Sequence, residues 1–433
     1  MSSDEPAFPS LHVRPERGWV NDPNGLSHID GTYHVFFQYN PDTPHHGDIK
    51  WGHASSPDLL RWRYHPVALA NRPGELDAHG CWSGTVVDDG GVPTAVYSAV
   101  PDGSGHAEVV LARSDRSLVT WDQDRHSVTG MPDDAAITDL RDPFVFEHGG
   151  HRYAIQGAGH KEGRPQILLY GCDDLTRWTP LGPLLTDDDP LAAKLAPANI
   201  WECPNLALVD GRWVLLLSLW RLADGVHQLS GVSYLVGDLR PRGEGLVFEP
   251  TSGGTVDRGP TFYAPQVLVQ PARTLLWAWA WEHGRTAEEI VDADWAGVLT
   301  FPRELHVVDG ELVSVPAPEL VGLRQERLPW RPGVGTAASA FEVESTGGVR
   351  LYLADAGSEV LVVDVPPHPA APTRVLVDGS LVEVFAGATP TTTRAYPTAT
   401  SRWVVRADPA LTTLWRLGTA PTGSPASDLP AGG

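Results

Sequence analysis

Trp19-Val20-Asn21-Asp22-Pro23-Asn24-Gly25 stands close to the start of a chain of 433 residues. Taken alone, this stretch is typical of a turn, because Pro fixes φ, Asn and Asp tolerate a left-handed backbone, and Gly has no Cβ. A β-rich run that begins at Gly31 follows it. The same pairing of a polar motif with a β-rich run recurs along the chain, and this recurrence predicts the fold.

Five β-rich runs resemble one another, and each follows a turn. They begin at Gly31, Gly91, Gly150, Gly211 and Arg273, at intervals of 60, 59, 61 and 62 residues. Their patterns are those of buried strands. About sixty residues hold four short strands with their turns, which is one propeller blade. The repeat therefore predicts an all-β fold with a five-bladed β-propeller over residues 1–305. A β-sandwich with accidental regularity is the alternative, which the near-equal intervals disfavour.

Three acids occupy the same position in the repeat. Asp22 and Glu202 lie 9 residues before Gly31 and Gly211, and Asp142 lies 8 residues before Gly150. In a propeller the first strand of each blade lines the central channel. The repeat therefore predicts that the three carboxyl groups converge in one axial pocket.

The periodicity ends after Phe301–Leu305. Residues 306–325 are predicted to form a linker. Short alternating strands follow, and they predict an antiparallel β-sandwich over residues 326–417. The segment 418–433 is rich in Pro, Ala, Ser and Gly and is predicted to be a disordered tail. One helical fragment is predicted near residues 191–195.

Composition limits the partners. A formal net charge of −22 disfavours nucleic acid and anionic membranes, because both would repel the protein. The apolar runs are too short to span a bilayer. The first ten residues lack the pattern of a signal peptide, and the three cysteines have no metal-ligand spacing. We expect a cytoplasmic protein without metal or cofactor, and the oligomeric state stays open.

Paired carboxylates are the minimum equipment for glycoside hydrolysis, where one acts as the acid and the other as nucleophile or base. The amides around Asp22 are expected to lower its pKa, and Arg141 places a cation beside Asp142. Glu202 is flanked by Trp201 and Cys203, an apolar setting that is expected to raise its pKa. Such a difference would assign the acid and the nucleophile.

The motifs together resemble those of glycoside hydrolase family 32, which includes invertases, sucrose-6-phosphate hydrolases, levanases, inulinases and some fructosyltransferases. The matching stretches are 19–25, 37–41, 51–53, 80–84, 141–143, 202–204, 262–266, 301–305 and 382–385. They span both predicted domains. The resemblance implies a five-bladed propeller with a C-terminal β-sandwich, and a retaining double displacement on terminal β-fructofuranosyl units.

The resemblance also implies residue roles. Asp22 would be the nucleophile, Glu202 the acid and base, and Asp142 the residue that hydrogen-bonds the fructosyl hydroxyls. Substrate-binding residues carried over by similarity are Asn21, Gln38, Trp51, Trp82, Ser83, Arg141, Asp257 and Trp279. The chain departs from the family at Val20 and Thr85, which are conservative changes, and in a short sandwich domain.

The motifs are compatible with more than one function. The fructosyl intermediate could pass to a sugar acceptor, which would make the protein a fructosyltransferase. A phosphorylated substrate, sucrose 6-phosphate, would need a basic cluster such as His45, His46 and Lys50, although the negative net charge favours neutral sugars. A catalytically silent sugar-binding propeller is disfavoured by the three intact acids. An inverting hydrolase of arabinan is disfavoured by the motifs around Asp22 and Glu202.

Overall fold

The computed structural model describes residues 5–104, 106–369 and 371–419. The first three blades are four-stranded antiparallel sheets. Blade 1 contains β1 (Gly18–Ile29), β2 (Thr32–Asn40), β3 (Lys50–Ser56) and β4 (Arg63–Tyr64). Blade 2 contains β5 (Gly80–Asp89), β6 (Val92–Val100), β7 (Glu108–Ser114) and β8 (Trp121–Thr129). Blade 3 contains β9 (Ile137–His148), β10 (His151–His160), β11 (Pro165–Gly171) and β12 (Thr179–Thr186).

The fourth and fifth blades carry additional elements. Helix α1 (Pro190–Leu195) precedes blade 4, which contains β13 (Ile200–Val209), β14 (Arg212–Ala223), β15 (Val226–Arg242) and β16 (Gly245–Thr255). Blade 5 begins with β17 (Phe262–Gln270) and β18 (Arg273–Ala280). Helix α2 (Ala287–Ala293), β19 (Trp295–Ala296) and β20 (Val298–Leu299) come next, and β21 (Arg303–Val308) and β22 (Glu311–Pro316) complete the blade.

Glycine-led turns join the first two strands of blades 1 to 4 as the repeat predicts, and Pro271-Ala272 takes this place in blade 5. At Asp30–Gly31 both residues have positive φ, 50° and 75°, and at Asp210–Gly211 the values are 47° and 77°. Two successive left-handed residues make the hairpin turn whose twist matches that of the flanking strands. Gly supplies this geometry without steric cost, and Asp tolerates it.

The five first strands form a closed ring. β1, β5, β9, β13 and β17 contact one another in cyclic order. β1 also pairs in parallel with β19, where Gly18 lies opposite Trp295. The ring therefore closes by joining the beginning of the propeller to a segment near its end.

The fifth blade differs from the predicted boundary at residue 305. β21 pairs with β18, and β22 pairs with β21, so residues 306–316 are the outer strands of blade 5 instead of a linker. The inserted segment with α2, β19 and β20 separates β21 and β22 from β18 in sequence, and neither strand contains a Trp that would have indicated the repeat. A 3₁₀ helix, Pro318–Leu323, makes the actual connection.

The C-terminal domain is a sandwich of two antiparallel sheets. One sheet has the order β23 (Arg324–Arg327), β32 (Thr412–Leu417), β25 (Ala340–Ser345), β28 (Thr373–Asp378), β29 (Leu381–Phe385) and β30 (Thr391–Arg394). The other has the order β24 (Gly335–Thr336), β31 (Arg402–Ala407), β26 (Val349–Asp355) and β27 (Ser358–Val365). Apolar side chains from both sheets form its core. Of the predicted tail, residues 420–433 lie outside the described residues.

A buried polar network joins the two domains. Arg303 of blade 5 donates to Asp257 (2.8 Å) and to Glu383 of β29 (2.6 Å), and all three side chains are fully buried. His12 lies between Glu383 and Asp378, with ring nitrogens 3.2 and 2.7 Å from their oxygens. Because buried charges need partners, this network fixes the sandwich against the propeller.

The segment before β1 also reaches the sandwich. The backbone amides of Ser10, Leu11 and His12 donate to the carboxylate of Asp378 at 3.0, 2.7 and 3.2 Å. The N-terminal segment therefore spans both domains. No helix in the described part of the chain has the length and apolar character needed to cross a membrane.

Candidate active site

A cavity of about 630 Å³ opens at the axis of the propeller. Most of its lining comes from the first two strands of the blades. The lining residues are Trp19, Asn21, Asp22, Gln38, His46, Trp82, Ser104, Asp139, Arg141, Asp142, Glu202, Trp220, His227, Leu229, Tyr263 and Trp279. The three predicted acids are among them, so the convergence expected from the repeat is present.

An irregularity in each first strand places these side chains. The register shifts between Val20 and Pro23 in β1, and comparable shifts occur in β5, β9, β13 and β17. Asp142 and Cys203 have positive φ at these points, 61° and 44°. A β-bulge re-aims a side chain and bends its strand. The repeated bulge therefore turns the residues at the motif position toward the axis.

Asp22 is held by four neighbours. Its Oδ1 accepts a hydrogen bond from Asn21 (3.1 Å), and its Oδ2 accepts from Ser83 (2.6 Å) and Gln38 (3.2 Å). The thiol of Cys203 lies 3.4 Å from Oδ2. The predicted lowering of its pKa is wrong. Burial raises the pKa of Asp22, the hydrogen bond from Ser83 opposes this, and the charge of Glu202 adds to it.

Asp142 is also buried. Its Oδ2 accepts from the backbone amide of Cys203 at 2.9 Å, and its own amide donates to Ser98 at 2.8 Å. Burial raises the pKa of Asp142 to about 7, although the neighbouring Arg141 lowers it. Arg141 does not form a hydrogen bond with this carboxyl group among the described contacts.

Glu202 is oriented by two polar residues. Arg141 donates through Nε to Oε1 at 3.0 Å and forms an ion pair with it through Nη2 at 2.9 Å, and the Tyr263 hydroxyl donates to Oε2 at 2.6 Å. The apolar setting that the sequence predicts for Glu202 is therefore wrong, because both carboxylate oxygens have charged or hydroxyl partners. The carboxylate is fixed in the cavity with 16% of its side chain exposed.

Six of the eight predicted binding residues lie at this site. Asn21, Gln38, Trp82, Arg141 and Trp279 line the cavity, and Ser83 contacts both Asp22 and Gln38. Asn21 donates to Gln38 at 2.9 Å and accepts from Trp19 at 2.7 Å. These amide and hydroxyl groups form one connected polar wall beside Asp22.

The other two predicted binding residues, Trp51 and Asp257, do not line the cavity. Trp51 is completely buried, packs in a core cluster, and donates from Nε1 to the carbonyl oxygen of Trp82 at 3.1 Å. It supports Trp82 from behind. Asp257 accepts from Arg303 (2.8 Å) and from the backbone amide (2.8 Å) and hydroxyl group (2.7 Å) of Thr392. The carboxylate of Asp257 therefore belongs to the interface between the two domains. Its contacts with Arg303 and Thr392 account for its burial.

Sequence reasoning missed the part of the wall made by blades 3 and 4. Asp139 stands two residues before Arg141, and Trp220 and Leu229 lie on the long β14–β15 hairpin with His227. Trp220 ends an apolar run that reads as an ordinary strand. The unusual length of that hairpin is the sequence signal that could have pointed to Trp220, His227 and Leu229. Tyr263 stands inside a recognised motif, but its contact with Glu202 is a tertiary feature.

The arrangement can perform acid and nucleophilic chemistry on a sugar. Two carboxylates with separate partners, Asp22 and Glu202, face one cavity, and Asp142 lies beside them. Trp19 and Trp279 add aromatic surface, with ring centroids 5.5 Å apart. Fold and site together define a glycoside hydrolase with a propeller catalytic domain.

Comparisons with known proteins identify the family. Residues 12–316 match the model of the glycosyl hydrolases family 32 N-terminal domain. The chain is 30% identical to a raffinose invertase of Escherichia coli over 95% of both chains. It is 30% identical to a sucrose-6-phosphate hydrolase of Escherichia coli, covering 90% of this chain and 89% of the relative.

Solved structures agree with the fold. The structure of a sucrose-6-phosphate hydrolase from Lactobacillus gasseri superposes with a TM-score of 0.81 at 24% identity, covering 96% of this chain and 94% of that chain. The protein belongs to glycoside hydrolase family 32. The family resemblance and the all-β fold of propeller and sandwich are therefore confirmed.

Proposed function

We propose that the protein hydrolyses terminal β-D-fructofuranosyl units from sucrose or short fructooligosaccharides, with retention of configuration. The observation that carries the proposal is the separate support of two carboxylates in one cavity. Asp22 is held by Ser83 and Asn21, whereas Glu202 is held by Arg141 and Tyr263. Because the two carboxylates have different partners, one can act as the nucleophile at the anomeric carbon while the other acts as the acid at the leaving oxygen.

In the first step, Asp22 attacks the anomeric carbon of the fructosyl unit. Its Oδ1 accepts only from Asn21 among the described contacts, while Oδ2 accepts from several donors, so Oδ1 is the freer oxygen. A bond forms between this oxygen and the anomeric carbon as the bond to the leaving sugar breaks. Glu202, protonated at the start, gives its proton to the leaving oxygen.

In the second step, water replaces the leaving sugar. Glu202 removes a proton from the water, whose oxygen attacks the anomeric carbon. The bond to Asp22 breaks, which frees fructose and restores both carboxyl groups. Two inversions at one carbon give overall retention.

Asp142 binds the fructosyl hydroxyls in this proposal. Its carboxyl group is buried beside Asp22, and both approach Cys203 Sγ, at 3.5 and 3.4 Å. With a pKa of about 7, Asp142 can accept or donate a hydrogen bond at neutral pH. A contact that strengthens as positive charge develops on the fructosyl ring would lower the barrier. Gln38 and Trp82 complete the fructosyl pocket.

A second candidate is hydrolysis of sucrose 6-phosphate, because relatives of this chain carry that name. Transfer of the fructosyl unit to a sugar acceptor uses the same intermediate. A silent sugar-binding role is disfavoured because both catalytic carboxylates retain their hydrogen-bond partners. A cytoplasmic location stays a prediction, supported by three unpaired cysteines.

Product analysis tests the proposal first. Equimolar glucose and fructose from sucrose is the expected result, and excess glucose with a new trisaccharide would indicate fructosyl transfer instead. Methanolysis should yield methyl β-D-fructofuranoside by NMR, whereas the α-anomer would exclude retention. Absence of cleavage of sucrose, raffinose, short fructooligosaccharides and sucrose 6-phosphate would refute the proposal.

Variants assign the roles. Asp22→Asn should lower kcat by at least about 10⁴-fold, because no nucleophile remains. Glu202→Gln should lose roughly 10²-fold or more on sucrose. Its loss should be smaller on a nitrophenyl fructoside, whose leaving group needs no proton. Glu147→Gln is the control, since Glu147 is exposed at the opposite end of β9. Equal losses of Glu202→Gln on both donors would remove Glu202 from the acid role.

A further inference from the structure

A row of residues crosses blades 3 and 4 next to the catalytic acids. Asp139 lies opposite Gly159, Gly159 opposite Ile200, Ile200 opposite Trp220, and Trp220 opposite Leu229. The row is continuous because β10 of blade 3 pairs with β13 of blade 4. We call these five residues the rim row. Its side chains Asp139, Trp220 and Leu229 line the cavity.

The rim row lies one step outside the catalytic residues. Arg141 and Glu202 follow Asp139 and Ile200 by two residues on the same strands, which is a rise of roughly 7 Å. On β9 the exposed fraction of the side chain increases from 8% at Arg141 to 31% at Asp139, whereas on β13 Ile200 is buried and contributes no side-chain surface. A group bonded to the oxygen that Glu202 protonates, and pointing to the cavity mouth, would therefore lie against the rim row.

Trp220 offers a preformed aromatic surface in this row. His227 stacks on its ring with centroids 3.4 Å apart and planes inclined by 6°, and the guanidinium of Arg141 lies 5.3 Å from the ring centroid. No described residue accepts a hydrogen bond from the indole N–H of Trp220. An amphipathic ring with a free donor suits a sugar, which presents both C–H faces and hydroxyls.

The charges around the rim row are unfavourable for an anion. Arg141 is the only Arg or Lys in the described lining, and its guanidinium is already paired with the carboxylate of Glu202. Asp139 adds a carboxylate, whose Oδ1 is 3.4 Å from Arg141 and whose Oδ2 accepts from Thr138 at 2.9 Å. Of the candidate phosphate ligands from sequence, His46 lines the cavity, where burial lowers its pKa and disfavours the charged imidazolium. Lys50 instead contacts Asp42 at 3.5 Å and does not line the cavity.

We propose that the rim row binds the leaving sugar, and that Asp139 makes the site select uncharged leaving sugars over phosphorylated ones. The inference rests on the proposed fructosyl hydrolysis and names the substrate class of that site. A phosphate monoester carries a charge of about −1.5 to −2 at pH 7. Repulsion from Asp139 would act on it but not on glucose. Trp220 would act on both, because both present the same sugar ring.

Initial rates on three donors test this inference. The donors are sucrose, sucrose 6-phosphate and methyl β-D-fructofuranoside, which has no leaving sugar. For the wild-type enzyme, kcat/KM on sucrose should exceed that on sucrose 6-phosphate at least tenfold. Asp139→Asn should reduce this ratio about tenfold. The ratio should also fall at 1 M NaCl, because salt screens exposed charges.

Trp220→Ala separates the leaving-sugar contact from a general structural effect. Its loss of kcat/KM on sucrose should exceed its loss on methyl β-D-fructofuranoside by at least tenfold. The matched controls are Leu222→Ser, on the exposed part of the same hairpin, and Glu147→Gln, which removes a charge far from the cavity. Both controls should leave two ratios of kcat/KM within twofold of the wild-type values: sucrose to sucrose 6-phosphate, and sucrose to methyl β-D-fructofuranoside.

The outcomes distinguish the two proposals. An enzyme that cleaves sucrose but whose donor ratios are unchanged in Asp139→Asn and Trp220→Ala overturns the rim-row inference and leaves fructosyl hydrolysis intact. A wild-type enzyme that prefers sucrose 6-phosphate overturns the selectivity. An enzyme that cleaves none of the three donors overturns the rim-row inference, and fructosyl hydrolysis falls with it when raffinose and short fructooligosaccharides are not cleaved either.

Discussion

Replacing Asp142 with Asn should stabilise the protein while it impairs catalysis. Asp142 is 6% exposed, and burial raises the pKa of its carboxyl group from 3.8 to about 7. Asn is neutral, has an oxygen that can accept from the Cys203 amide, and tolerates the positive φ of 61° at this position. The substitution therefore removes a buried charge without adding backbone strain.

The size of the effect depends on pH. Below pH 3.8 the carboxyl group is protonated in both folded and unfolded chains, so it contributes no penalty. As pH rises toward 7, the unfolded chain ionises first and stability is lost. The full cost above pH 7 is about 4 kcal/mol. At pH 5 the cost is below about 2 kcal/mol, because the folded group is still protonated there.

Thermal unfolding at the two pH values measures this difference. For a chain of this length, 1 kcal/mol corresponds to about 1 °C in Tm. Asp142→Asn should therefore raise Tm by about 2–4 °C at pH 8 and by less than about 2 °C at pH 5. Its kcat/KM on sucrose should fall by roughly 10²-fold or more, since a contact to the transition state is weakened.

The exposed Glu147 supplies the control for a change in net charge. Glu147→Gln should change the free energy of unfolding by less than about 0.5 kcal/mol at either pH. An Asp142→Asn variant that is less stable than wild type at pH 8, or whose gain is the same at pH 5 and pH 8, would refute the reasoning about the buried carboxyl group.

Two further substitutions test contacts of the site and of the domain interface. Tyr263→Phe removes the 2.6 Å hydrogen bond to Glu202 and should lower kcat/KM on sucrose about tenfold in initial-rate assays. Its Tm should stay within about 2 °C of wild type, and an unchanged rate would contradict the role of this hydrogen bond. Arg303→Met leaves Glu383 buried without its cation and should cost about 3–5 kcal/mol in urea unfolding. Arg350→Met, at an exposed ion pair, should cost less than about 1 kcal/mol, and a similar small loss for Arg303→Met would show that the network adds little.

The blades and the convergence of the acids could be predicted because both depend on local patterns. Turn residues such as Asp210–Gly211 determine where each hairpin reverses, and the β-rich runs that follow the turns have the patterns of buried strands. Once the turns are aligned, the period of the repeat places Asp22, Asp142 and Glu202 at equivalent positions. No long-range contact has to be known for this step.

The outer strands of blade 5 could not be found in the same way. The chain leaves the blade after β18, forms α2 and two short strands, and returns at Arg303. This insertion breaks the spacing of the repeat. A strand that joins a sheet after such an excursion is identified only by its partner, which is β18 in the folded protein.

The environments of the catalytic acids and the role of Asp257 also depend on residues that are distant in sequence. Asp257 looks like a pocket residue until its neighbours Arg303 and Thr392 are known, and these lie 46 and 135 residues away. The flanking Trp201 and Cys203 indicate an apolar site for Glu202, yet its partner Tyr263 comes from the next blade. Desolvation is a property of the assembled ring, so adjacent residues in sequence do not reveal it.

The link between the N-terminal segment and Asp378 has a consequence for biosynthesis. The amides of Ser10 to His12 bond to a residue that is made 366 to 368 positions later. At about 5–20 residues per second, a ribosome needs roughly 20–70 s to reach it. During this time the segment that contains Ser10 to His12 is without its final partner. These contacts therefore form only after the sandwich strand that contains Asp378 has been made, so a segment that is translated early reaches its final position late.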